Sequence, residues 1–89
     1  MRKYHAAYYL DPKSNWYSVE VLDFPGAVSQ GRTLKSARTM IRDALKLLAQ
    51  SLLEDGEPLP VPRDAMKPKS ADFFEEISLS FRVQTPGVL

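Results

Sequence analysis

The chain has 89 residues, 44% hydrophobic and 26% charged, with twelve Lys and Arg against eleven Asp and Glu. That length fits one small domain, residues 1–89, and the composition is that of a globular chain rather than a disordered one. A formal charge of +1 does not call for nucleic acid or membrane as partner, while no cysteine and a single histidine exclude a disulfide framework, a thiolate metal site and any centre needing two imidazoles.

The first element is a strand over residues 3–10, with Tyr4, Ala6, Tyr8 and Leu10 on one face and Lys3, His5, Ala7 and Tyr9 on the other. Asp11-Pro12-Lys13-Ser14-Asn15 is a dense turn cluster. A second strand follows over 16–22, close enough to pair as an antiparallel hairpin. Phe24-Pro25-Gly26 breaks the chain, Ala27 to Gln30 makes a short third strand, and Gly31 permits the next sharp turn.

Thr33 is a suitable N-cap for a helix over 34–55, on which Leu34, Ala37, Ile41, Ala44, Leu45, Leu48 and Leu52 form one apolar face. Gly56 stands at the position that ends such a helix. Residues 57–72 are a Pro-rich and polar return loop, and the last strand alternates Ile77, Leu79, Phe81 and Val83 with Ser78, Ser80 and Arg82. Residues 1–2 and 84–89 are expected to be flexible ends. The order β-β-β-α-β predicts a two-layer α+β domain, a small mixed sheet with one helix packed on one face. A last strand lying parallel to the first would require a right-handed crossover.

The run Val21-Leu22-Asp23-Phe24-Pro25-Gly26-Ala27-Val28-Ser29-Gln30-Gly31-Arg32-Thr33-Leu34, the helix with Ala37 and Ala44, and Gly56-Glu57-Pro58 after it resemble the HicB antitoxin family. Four motifs occur in order: an aromatic strand pair, an acidic-hydrophobic-Pro-Gly turn, a Gly-x-Thr helix start, and Gly-Glu-Pro behind the helix. The resemblance covers residues 4–83. It implies a partial ribonuclease-H-like fold without nuclease activity, a protein that neutralises a small RNA-cleaving HicA-type toxin by covering its active site, and dimers or higher assemblies. The absence of cysteine suits a reducing, cytoplasmic location. The alternative is an orphan HicB-like module that regulates RNA or another protein without a toxin. Longer relatives carry a C-terminal DNA-binding module; the pattern here runs only through the fourth strand, so no direct DNA binding is expected of this chain. Ser36 stands where the family commonly has Glu, which predicts the loss of the capping box.

Little in the residues themselves points to catalysis. Asp11, Glu20 and Asp23 lie near strand ends, but Asp11 and Asp23 fall at opposite ends and read as solvated turn carboxylates. His5 reads as a surface or edge-strand residue. No enzyme activity, metal or cofactor is expected. The hairpin aromatics suit protein contact better than RNA stacking, since the strands carry few positive charges. The residues expected to bind a partner are Tyr9, Trp16, Tyr17, Phe24, Arg38 and Arg42, the last two belonging to a basic stripe with Lys46. Met40 and Leu47 fall outside the main apolar face, and either the Pro-rich return or a second copy in a homo-oligomer should cover them.

Overall fold

The computed structural model describes residues 2–80, in which four strands and one helix follow the expected order. The strands are β1 (Arg2–Leu10), β2 (Tyr17–Val21), β3 (Val28–Gly31) and β4 (Phe73–Leu79), and the helix is α1 (Leu34–Glu54). They form one sheet of order β3-β2-β1-β4. Every neighbouring pair is antiparallel, which corrects the mixed sheet expected from the sequence. The cause is the path of the return loop. Pro60 meets the first half of β1, where its carbonyl accepts from the Tyr4 hydroxyl at 2.6 Å. By Asp72 the chain has reached the other end of β1, where the Asp72 N–H donates to the Tyr8 carbonyl and its carboxylate accepts from the Leu10 N–H. A strand starting there can only run back along β1, so Tyr8 pairs with Phe73 and Arg2 with Leu79. β4 thus begins four residues before Ile77; Phe81, Arg82, Val83 and the 84–89 tail lie outside the described residues.

The alternation read from the sequence holds. Tyr4, Ala6, Tyr8, Val19, Val21, Ile77 and Leu79 face the helix and are buried with Ala37, Ile41, Leu45 and Ala49 of α1. The helical residues are spaced four apart, so they line one stripe. Thr33 caps the helix, and the capping box survives, contrary to expectation: the Ser36 N–H donates to Thr33 Oγ1, and the Thr33 N–H donates to Ser36 Oγ, each at 3.0 Å. The shorter serine side chain still reaches the cap backbone. At the other end the Gly56 and Glu57 N–H groups donate to the Leu53 and Leu52 carbonyls, with Gly56 at φ +72°, the Schellman arrangement.

Gly31 sets how closely α1 sits on the sheet. A Cβ there would lie 2.4 Å from the Ala37 backbone nitrogen and 2.5 Å from Ser36 Oγ; the serine side chain can turn aside, but the helix backbone cannot. Gly31→Ala is expected to cost about 2 kcal/mol as an overpacking change, read as a fall in melting temperature of roughly 10 °C.

Candidate functional site: the open half of the outer sheet face

The sheet face turned away from α1 has two different halves. At the first, His5, Asp23 and Arg63 lock the return loop to the sheet. Asp23 is buried, and its carboxylate accepts from the His5 N–H at 2.8 Å, from His5 Nδ1–H at 2.8 Å and from the Arg63 N–H at 3.3 Å. Burial works against its charge, but these donors outweigh it and hold the carboxyl below its ordinary range. The expected solvated carboxylate and edge histidine are both corrected here. β1 is a central strand, the His5 ring stacks on Phe74, and the 22–27 turn folds Asp23 back against β1. A cleft of about 440 Å³ beside this cluster is lined by Lys3, His5, Pro62, Arg63, Asp64 and Glu76. His5 and Asp23 are arranged like an acid–base pair, but the cleft lining supplies no hydroxyl or thiol nucleophile. Asp11 lies in the β1–β2 turn, where its carboxylate accepts from the Lys13 N–H. Among the described residues no group of three His, Cys, Asp or Glu is placed to hold a metal ion, and no helix is long and apolar enough to cross a membrane.

The second half, at the hairpin end, is open. Tyr9 pairs with Ser18, and the Asp11 N–H donates to the Trp16 carbonyl, so Tyr9 and Trp16 are diagonal neighbours on this face. Trp16 is 37% exposed and carries the Arg32 guanidinium 5.4 Å from its ring centroid. The Tyr9 hydroxyl donates to Glu20 at 3.3 Å. Exposed Ser18 and Gln30 complete the surface. An exposed Trp with Tyr and Arg beside it has the composition of a protein-contact hot spot.

Of the residues expected to bind a partner, the structure therefore brings together Tyr9 and Trp16. Tyr17 is half-buried and packs against the core from the helix side. Phe24 is corrected: it is buried, its ring edge-on to Tyr4 at 5.2 Å, because the tight turn bonded between Val21 and Ala27 folds it over the core end. Arg38 donates to Glu75 at 3.0 Å and lies over the Phe73 ring. Glu75 also accepts from the Tyr8 hydroxyl, and burial first, then this bond and the Glu75 charge, push the Tyr8 phenol above its ordinary value. Arg42 is exposed on α1, in the other layer. Met40 and Leu47 are 49% and 66% exposed, so the Pro-rich return does not cover them. Arg32, which is not among the expected contact residues, precedes the N-cap Thr33. Its parity with Gln30 beyond the short third strand is the signal that places it beside Trp16.

The molecule is a small α+β domain of this topology with an exposed aromatic patch on its outer sheet face. The family model described as HicB_like antitoxin of bacterial toxin-antitoxin system matches residues 5–83, and the chain belongs to that family. Its structure is similar to the crystal structure of the N-terminal domain of Burkholderia pseudomallei antitoxin HicB, with a TM-score of 0.75, 27% sequence identity, and coverage of 89% of this chain and 99% of that one. Comparison with curated proteins gives no match.

Proposed function

We propose that this chain neutralises a small HicA-type RNA-cleaving toxin by binding it and covering its active site, with no chemistry of its own. The observation that carries the reading is the family match over residues 5–83. The open face supports it in kind, because occlusion requires a preformed contact surface and Tyr9, Trp16 and Arg32 supply rigid aromatic area with a charged rim. Arg42 and Tyr17 take part only if the partner wraps from the sheet toward the helix.

Co-expression with the product of the adjacent reading frame tests it. The two chains are expected to co-purify as a complex that survives washing at high salt. Failure of the neighbour to bind, with both chains folded, would favour an orphan regulatory module.

A further inference from the structure

We infer that the groove between α1 and the free edge of β4 takes an extended, acidic segment of a partner protein, which adds to the sheet as a fifth strand and sets carboxylates two residues apart against Arg42 and Lys46. The groove lies on the helix side of the sheet, away from Tyr9 and Trp16, so a partner on that aromatic face leaves it open.

The groove follows from where the helix sits. α1 packs chiefly over β3 and only lightly on β4, and β4 is terminal in the sheet. Between them runs a groove of about 220 Å³, lined by Arg42, Asp43 and Lys46 on the helix and by residues 77–80 on the strand side. Ile77 and Leu79 are buried and floor it.

The two walls are in step, and their charges are not matched. Helix residues four apart advance about 6 Å and strand residues two apart about 7 Å, so α1 and β4 form a series of rungs. On the first, Arg38 donates to Glu75 at 3.0 Å. The next two set exposed Arg42 and Lys46 against uncharged Ile77 and Leu79. The other ion pairs of the described residues belong to His5, so no carboxylate among those residues pairs with either cation. Asp43, the only acid on the lining, leaves it net positive. Like charges four apart on a helix repel one another; Glu75 offsets the first of the three, and nothing in the described fold offsets the other two.

The strand edge supplies the second half of the site. A terminal strand presents a row of unpaired N–H and C=O groups, which charge or proline ordinarily blunts. Glu75 and Glu76 charge the first half of β4, whereas residues 77–80 carry neither a charge nor a proline. A strand added there bonds along its backbone, and its side chains at i and i+2 stand about 7 Å apart on one face, in step with Arg42 and Lys46. A Glu-x-Glu segment meets both demands. Nucleic-acid phosphates would pair with the cations but could not use the alternating donors and acceptors of the edge, and the lining holds no aromatic ring on which a base could stack.

Titration of the isotope-labelled chain with the blocked peptide Thr-Glu-Val-Glu-Val-Thr, followed by NMR, tests this without a toxin, so its outcome is separate from the antitoxin reading. The amides of residues 77–80 and of α1 around Arg42 are expected to shift. Replacing both glutamates of the peptide by glutamine should weaken binding about ten-fold, since two exposed ion pairs are lost. The Arg42→Gln/Lys46→Gln variant, with the circular dichroism of the wild type, should bind the two peptides alike. Absence of shifts with the acidic peptide overturns the inference, as do equal wild-type affinities for the two peptides or shifts confined to the Trp16 face. Single-stranded RNA that moves the β4 amides where the peptide does not would overturn it as well.

Discussion

Asp23→Ala is expected to unfold this domain or bring it close to unfolding at room temperature. The substitution removes one carboxylate and strands three donors in its place: the His5 N–H, the His5 ring N–H and the Arg63 N–H. Breaking a buried, multiply bonded charge in this way costs about 3–5 kcal/mol. A domain this small lies toward the low end of the usual 5–15 kcal/mol of total stability. The loss has a direction as well as a size, because the same groups fasten the return loop to β1 and to the 22–27 turn. Urea unfolding should show the midpoint falling by most of its wild-type value, while Asp23→Asn, which keeps one acceptor, should lose less.

The same site gives a pH dependence. The folded-state carboxyl is held below its ordinary value, so its stabilising contribution is fully present above the unfolded pKa of about 4. That contribution is lost as pH falls through the lower folded value. Wild-type stability should therefore decline below roughly pH 4 in part through this group. Asp23→Asn should show a shallower acid limb, and an unchanged limb would mean that other carboxylates govern it.

Trp16→Ala is expected to weaken toxin binding by at least about 2 kcal/mol, roughly 30-fold in Kd, with little effect on folding. Trp16 is more than a third exposed and spends its ring on Arg32 rather than on the core. Truncating it removes contact area and also releases the guanidinium it holds in place. Arg32→Ala should cost less, and Lys46→Ala, on the helix in the other layer, should cost almost nothing. Titration calorimetry with the purified toxin measures all three. If Trp16→Ala binds like the wild type, the contact surface lies elsewhere on the domain.

The elements were legible because their periods are unmixed. β1 and β2 alternate, α1 places Ala37, Ile41 and Leu45 four residues apart, and Thr33 and Gly56 mark its ends. The direction of β4 was not legible, since alternation is the same read either way. It depends on where residues 55–72 deliver the chain, which is fixed by Pro60 on Tyr4 and Asp72 on Tyr8. The candidate site was half legible. Tyr9 and Trp16 were both expected contact residues, but their sharing one face follows from the β1–β2 register, and an aspartate beside a Pro-Gly turn looks solvated until the fold supplies its donors. Phe24 likewise looks available until the turn closes it onto Tyr4. Nothing local to either residue carries that information, because both partners are about twenty residues away in sequence.

If this chain silences a toxin by covering it, RNA cleavage by the purified toxin is where the effect is read most directly. Adding the chain should abolish cleavage at a fixed stoichiometric ratio, with the chain alone leaving the RNA intact in magnesium or manganese. Trp16→Ala should require a large excess for the same effect. Undiminished cleavage in the presence of excess folded chain, or cleavage by the chain itself, would contradict the account.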